Sequence, residues 1–369
     1  MSMIKASVPS RICLFGEHQD YLGLEVIAAA IDLRFTASVT SREDNLLRIK
    51  IRDRALSGLG EVNPGRYQEY QLDLSRPQVY EGPRDYFRSV VNVLTRAGYN
   101  LKGADVVLDS EIPIGKGMCS STAMVMALMA GLAAYAGKAL EPMELAKLGW
   151  QAEVAEFGEP GGMMDHYAGA LGGILHLDFS DGVKVEKMPD VLKEDIILFD
   201  SMQEKDTLAV LSSAKTPSVE GLKVLGAYGV HSVRDLAENP ALERKIGMLP
   251  EEMARRVRAN VDNYRLQRTA YQMLSSGESS GRQLGGLLNR HQANLRDGLG
   301  ISTPKIDHIL EMALANGVYG GKINGSGGGG CVYCYAPAEK SEAILKAAAE
   351  NGIPAKSLLI TDGVRIEIK

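Results

Sequence analysis

Residues 112–137 read IPIGKGMCSSTAMVMALMAGLAAYAG, which is a turn with two spaced glycines, two serines and a long apolar run. The preceding segment GADVVLDSEIP (103–113) predicts a strand, and the run rich in Ala, Leu and Met predicts a buried helix capped near Ser120 or Ser121. A strand, a glycine turn and a helix N-terminus gather backbone N–H groups around one point, where they stabilise a phosphate. A glycine turn with a serine cap and no ligand is the alternative.

The composition of the 369-residue chain indicates a globular protein, with 45% hydrophobic and 24% charged residues. Its length favours two domains, and we expect a boundary that divides 1–194 from 195–369. The net charge of −5 argues against a nucleic-acid partner. No apolar run approaches the roughly 20 residues that cross a bilayer, and no secretory signal is apparent. We therefore expect a cytoplasmic protein without a membrane partner, either a monomer or a homodimer.

The cysteines do not predict a zinc site. Cys331 and Cys334 have metal-like spacing, but they lie in CVYCYA (331–336), which predicts a strand. The two side chains would then point to opposite faces, and no second ligand pair is present in the sequence.

The rest of the pattern alternates strands with helices. Strands are predicted at 10–15, 25–41, 46–53, 195–201 and 358–369, with a hairpin-like pair at 169–179 and 185–189. Helices are predicted at 85–99, 141–158, most of 205–298, 303–317 and 339–352. The polar stretch 61–84 is assigned no element.

A second polar segment, GEHQDYLG (16–23), lies between two apolar strands. In a turn, its ionisable and polar side chains can converge on a pocket for a hydroxyl-rich ligand. The side chains concerned are Glu17, His18, Asp20 and Tyr21. A solvated turn is the alternative. Arg11 precedes this segment in an apolar strand, where a buried guanidinium needs an anionic partner.

Two further segments contain candidate site residues. KINGSGGGGC (322–331) contains so many glycines that backbone segments can approach each other or a ligand closely. A flexible linker is the alternative, but a helix end and an apolar strand flank it tightly. In 149–173, Glu153 falls on a predicted helix and Asp165 follows a turn. Such an acidic pair suits one metal ligand and one general base.

Together and in this order, these segments resemble the galactokinase–homoserine kinase–mevalonate kinase–phosphomevalonate kinase (GHMP) superfamily. GEHQDY resembles the galactokinase signature G-E-H-T-D-Y, and KINGSGGGG is similar to K-x-x-G-x-G-G-G. PIGKGMCSST (113–122) is similar to P-x-x-x-G-x-x-S-S-A, with Thr122 in place of Ala. The resemblance implies an α+β fold of two domains, an N-terminal ribosomal-S5-like domain and a C-terminal ferredoxin-like domain with a helical insertion.

The resemblance also implies residue roles. Asp165 would accept the proton of the acceptor hydroxyl, Arg11 would keep that carboxylate ionised, and Ser121 and Glu153 would coordinate Mg²⁺. Sugar hydroxyls would be read by Glu17, His18, Asp20 and Tyr21. ATP would be bound by Gly115, Lys116, Gly117, Met118, Cys119, Ser120, Ser121, Thr122, Gly325 and Gly327.

The implied activity is an ATP-dependent kinase that phosphorylates a monosaccharide, at its anomeric hydroxyl and with galactose as the first candidate. Departures from galactokinases, such as Ser10-Arg11-Ile12-Cys13 for Gly-Arg-Val-Asn, keep a uronic acid, a phosphosugar, another aldose or mevalonate open as acceptors. A non-catalytic sugar or nucleotide sensor is a further alternative. Lys205 could meet an anionic acceptor or be a solvated lysine, and His166 could pack under Asp165 or contact substrate.

Overall fold

The structure is a computed structural model that describes residues 3–52, 67–159, 161–203, 207–277 and 280–369. Its larger sheet has eight strands, whose apolar and β-branched residues suit a sheet covered by other elements. The strands are β1 (Ile4–Phe15), β2 (Val26–Ser41), β3 (Leu46–Arg52), β4 (Tyr67–Asp73), β5 (Ala104–Ser110), β6 (Ile174–Asp178), β7 (Lys184–Met188) and β12 (Arg365–Ile368).

Strand β2 organises the larger sheet. It pairs with β1 along most of its length, with β5 through its second half and with β6 through its first half. All pairs in this sheet are antiparallel except β3 with β5. The last strand, β12, returns from the end of the chain to pair with β1. Strand β1 is therefore paired on both sides at its start, and at Arg11 it pairs with Ala30 of β2.

Four helices cover one face of this sheet: α1 (Tyr86–Arg96), α2 (Ser120–Tyr135), α3 (Pro142–Glu153) and α4 (Met164–Leu171). Helix α2 lies against β1 and β2, α4 contacts the same strands, and α1 and α3 pack beside α2. Burial of α2 from Thr122 to Ala133 with only Met124 partly exposed explains why its sequence is apolar on all sides.

The smaller sheet is antiparallel, in the order β11-β8-β10-β9, from β8 (Asp195–Asp200), β9 (Gly320–Ile323), β10 (Cys331–Ala336) and β11 (Ala355–Leu358). Helices α10 (Pro304–Ala315) and α11 (Ser341–Glu350) share a hydrophobic core with one face of it. The helical insertion between β8 and β9 comprises α5 (Thr207–Leu225), α6 (Val233–Glu238), α7 (Pro240–Glu243), α8 (Glu251–Ser276) and α9 (Gly281–Ala293).

The predicted α+β arrangement of two units is confirmed, as is the hairpin of β6 and β7. Strand β4 was missed within the polar stretch 61–84. The prediction that α2 begins near Ser120 or Ser121 is confirmed: Ser120 is its first residue, and Cys119 occupies the cap position with a left-handed φ of 48°. The boundary at 194 stays a prediction: β8 begins at Asp195, but β12 lies in the larger sheet.

The cysteines of β10 lie as predicted. Cys331 packs in the core under the larger sheet and Cys334 in the core beneath α10 and α11, so the two thiols do point to opposite faces of β10. Lys205 lies outside the described residues. Within the described ranges, no helix combines the length and the apolar character that crossing a membrane requires.

Candidate functional site

A cavity of about 360 Å³ lies where the predicted segments meet. It has the size of a small-molecule site. From the sequence-predicted set, the lining includes Arg11, Glu17, His18, Asp20, Tyr21, Gly115, Gly117, Met118, Cys119, Ser120, Ser121, Thr122, Glu153, Asp165 and Gly325. Lys116 and Gly327 are not part of this lining: Lys116 Nζ lies 3.5 Å from Asp200 Oδ1, and Gly327 packs closely on Ile301.

Arg11 and Asp165 form an ion pair in the lining of the cavity. Strand β1 holds Arg11 and the first turn of α4 carries Asp165, with Arg11 Nε 2.6 Å from Asp165 Oδ1. Arg11 is 4% exposed and Asp165 26%, so the carboxylate is the accessible partner. Burial lowers the pKa of Arg11, but the charge and hydrogen bond of Asp165, together with the other acidic groups nearby, outweigh it, so the net pKa lies above the ordinary value. The guanidinium therefore stays charged.

The glycine turn before α2 forms the second wall. Gly115 and Gly117 have φ of 70° and 80°, in the left-handed region that residues with a Cβ disfavour. Arg11 Nη1 donates to the carbonyl oxygen of Gly117 at 3.1 Å, which ties this loop to β1. The first turn of a helix leaves backbone N–H groups without intrahelical partners. The N-terminus of α2 thus offers an anion site beside the Arg11–Asp165 pair.

Glu153 lies buried at the end of α3, beneath this helix N-terminus. Its Oε2 is 2.8 Å from His166 Nε2. Burial by itself raises the pKa of Glu153, but His166 and hydrogen bonds from Thr122 and Ser121 outweigh it and lower the pKa. An ionised carboxylate beside a serine hydroxyl is an oxygen donor set that fits Mg²⁺. His166 thus contacts Glu153.

The first motif forms the third wall. His18 is buried in a left-handed conformation, and its Nε2 lies 3.1 Å from the Ser326 carbonyl oxygen. Because a carbonyl only accepts, Nε2 donates, and in the neutral ring Nδ1 then accepts from Tyr21 Oη at 2.9 Å. These contacts orient the Tyr21 phenol at the cavity wall.

Asp20 shares this wall with a second carboxylate, Asp165. Burial and then the charge of Asp165 raise the pKa of Asp20 to about 6. The backbone N–H groups of Tyr21 and Met164 bond to it and oppose that shift. A Cβ at Gly162 would overlap the Asp20 carboxylate, so the glycine makes room for it.

Each carboxylate oxygen of Glu17, which also lines the cavity, has a partner within the protein. Its Oε2 pairs with Lys322 Nζ, and its Oε1 accepts from the Gly325 N–H at 2.6 Å. Both charged groups are buried. Glu17 therefore joins the first motif to the glycine-rich segment, a role that its position in the sequence did not reveal.

Several lining residues were missed by sequence reasoning, among them Arg84, Tyr86, Glu159 and Leu211. Arg84 Nη2 donates to Glu159 Oε2 at 2.8 Å within this lining. Arg84 falls in the polar stretch to which no element was assigned, and nothing in that pattern signals its left-handed conformation.

Comparisons with known proteins agree with this geometry. Two family models match, GHMP kinases N terminal domain over residues 85–173 and GHMP kinases C terminal over residues 275–354. A third, the galactokinase galactose-binding signature, matches residues 3–41.

The similar proteins carry two names. A mevalonate kinase of Thermococcus sibiricus is 28% identical over 99% of this chain and 98% of its own length. A galactokinase of Glaesserella parasuis is 27% identical over 97% of this chain and 93% of its own. The crystal structure of Lactococcus lactis galactokinase complexed with galactose has the same fold, with a TM-score of 0.82, 24% identity and coverage of 98% and 95%.

Proposed function

The chain belongs to the GHMP kinase family and is therefore an ATP-dependent phosphotransferase with an alcohol acceptor, and on that premise we propose that its acceptor is a monosaccharide, phosphorylated at the anomeric hydroxyl. One observation carries the proposal: the Arg11–Asp165 pair, with its guanidinium buried and its carboxylate accessible, lies where the glycine turn before α2 and the polar first motif face the same cavity.

The residues suit phosphoryl transfer, whose loose transition state demands positioning and charge neutralisation more than covalent chemistry. Asp165 Oδ1 bonds to Arg11, which leaves Oδ2 to take the proton of the acceptor hydroxyl. The cationic Arg11 lies against that carboxylate and adds positive field next to the α2 N-terminus. Ser121 and Glu153 would hold Mg²⁺, which when bound neutralises phosphate charge.

A sugar acceptor is supported by the first motif. Asp20 and the oriented Tyr21 phenol present an acceptor and a hydroxyl group to the cavity, and such groups suit a polyol. The match of residues 3–41 to the galactose-binding signature points the same way, with galactose as the first candidate. Mevalonate is the second candidate acceptor, because relatives with that name are as similar to this chain as the galactokinases.

The test is ADP release with ATP, Mg²⁺ and a panel of acceptors: galactose, other aldoses, a uronic acid, a phosphosugar and mevalonate. We expect turnover with a sugar and an NMR spectrum of the product that places the phosphate on the anomeric oxygen. Turnover with mevalonate alone would replace the sugar proposal with the second candidate. Tight nucleotide binding without turnover on any acceptor would identify a sensor.

A further inference from the structure

Asn324 links the two halves of the site from below the cavity. It follows directly after β9 and is fully buried. Its Oδ1 accepts from the Cys13 N–H at 3.0 Å. Its Nδ2 donates to the carbonyl oxygens of Arg11 at 3.3 Å and Gly117 at 3.2 Å. Because the Cys13 N–H requires an oxygen and the two carbonyls require a donor, the orientation of the amide is fixed.

The two segments that Asn324 joins lie on different sides of the proposed reaction, one on the acceptor side and one on the phosphate side. The Arg11 segment of β1 holds the Asp165 carboxylate, which lines the cavity and would face the acceptor in the proposed reaction. Gly117 belongs to the loop that faces the phosphates, and its carbonyl oxygen also accepts from Arg11 Nη1. The same carbonyl thus receives one donor from each side, and the amide of Asn324 spans the gap between strand and loop.

The neighbouring backbone leaves little room for another side chain at this junction. A Cβ on Gly325 would collide with the Gly117 carbonyl, and one on Gly330 with the Lys116 carbonyl. The Cys331 N–H donates to that Lys116 oxygen at 2.8 Å. The glycine-rich segment is therefore pressed against the phosphate loop, and Asn324 is buried within that contact.

We propose that Asn324 is a positioning residue for phosphoryl transfer, which sets the phosphate loop in register with the Arg11–Asp165 pair; the inference rests on the proposed kinase activity but not on the identity of the acceptor. Displacement of reacting groups by about 1 Å can cost on the order of a hundredfold in rate. Loss of the Asn324 donor would shift the phosphate loop relative to the Arg11–Asp165 pair but would leave in place the groups that contact ATP. We therefore expect it to change kcat and not ATP binding.

The test is Asn324→Asp, which keeps the size of the side chain and places a carboxylate oxygen against the two carbonyls. The matched control is Asn289→Asp. Asn289 likewise bridges two backbone groups, donating to the Tyr319 carbonyl at 3.2 Å and accepting from the Gly321 N–H at 3.1 Å, but neither Tyr319 nor Gly321 lines the cavity, whereas Arg11 and Gly117 do. We expect Asn324→Asp to lower kcat at least about tenfold with the KM for ATP and the ATP dissociation constant within about threefold. Asn289→Asp should keep kcat.

Three outcomes would overturn the proposal: an unchanged kcat in folded Asn324→Asp, an ATP affinity that falls as much as kcat, or an equal loss in Asn289→Asp. Should Asn324→Asp not fold, Asn324→Ser replaces it, since serine is small and uncharged, and the same division between kcat and ATP binding applies. Wild-type protein without turnover on any acceptor would instead refute the proposed function, so the two failures are distinct.

Discussion

Glu17 and Lys322 are 305 positions apart in the chain and form an ion pair inside the protein. Lys322 also donates to the Ile323 carbonyl at 2.7 Å and lies 5.3 Å from the centre of the Tyr333 ring. Glu17 in turn accepts from the Gly325 N–H. The pair therefore attaches the glycine-rich segment of the smaller unit to the first motif of the larger one.

Removal of one partner should be costly, because the other charge is left buried and unpaired. We expect Lys322→Met to lower the free energy of unfolding by about 3–5 kcal/mol, measured by urea denaturation. The control is Lys50→Met, which breaks an exposed pair with Glu69 and should cost less than about 1 kcal/mol. Equal costs for the two variants would show that the buried pair does not hold the segments together.

Asp165 should be required for turnover and not for nucleotide binding. Asp165→Asn keeps an oxygen for Arg11 Nε but removes the proton acceptor, so we expect kcat to fall on the order of 10²- to 10⁴-fold. The ATP dissociation constant should stay within about twofold, since the phosphate loop lies on another segment. Asp105→Asn is the control, because Asp105 pairs with Arg42 at 3.0 Å outside the cavity. Near wild-type turnover in Asp165→Asn would exclude Asp165 as the base.

The sequence predicts the parts of the site that depend on local pattern. The sequence of 112–137 predicts an apolar helix after a glycine turn. The polar first motif lies between strands whose residues are β-branched and apolar. Strand β4 was not predicted because its sequence is polar, as suits an edge strand that, among the described residues, pairs with β3 alone. Its alternation was therefore hidden in a stretch that resembles a loop.

The long-range contacts could not be predicted in the same way. Glu17 was expected to face a ligand, and only the folded chain shows that Lys322 and Gly325 occupy its oxygens. Asn324 was not singled out, because a lone Asn in a glycine-rich segment is typical of a turn. Both roles arise from contacts between backbone segments that lie far apart in sequence, which a local pattern does not encode.

The stability of the protein should depend on pH through Asp20. Its pKa of about 6 lies above the unfolded value near 3.9, so between these values the folded chain holds a proton that the unfolded chain releases. The contribution of Asp20 is thus fully present below about pH 4 and is lost as pH rises through 6. As the pH rises from 4 to 8, the free energy of unfolding of Asp20→Asn should increase relative to that of wild type by up to about 3 kcal/mol, measured by urea denaturation.

An acid with the opposite shift provides the control for that measurement. A hydrogen bond from Arg296 lowers the pKa of the exposed Asp297. Its stabilising contribution is therefore present above the unfolded pKa and is lost as the pH falls through the folded pKa. Between pH 4 and 8, the free energy of unfolding of Asp297→Asn relative to wild type should therefore stay constant. An increase of the same size in both variants would exclude the Asp20 carboxylate as the cause of the pH dependence.

Gly162 should control binding of the acceptor by leaving space for Asp20. A Cβ at Gly162 would overlap the Asp20 carboxylate, so Gly162→Ala must displace it. A hydrogen bond to a charged group is worth about 1.5–3 kcal/mol, so we expect the KM for the acceptor to rise about tenfold or more, with the KM for ATP unchanged. Gly286→Ala is the control, because a Cβ there meets no atom within 4 Å. An unchanged acceptor KM in Gly162→Ala would mean that Asp20 does not contact the acceptor, since its displacement is unavoidable.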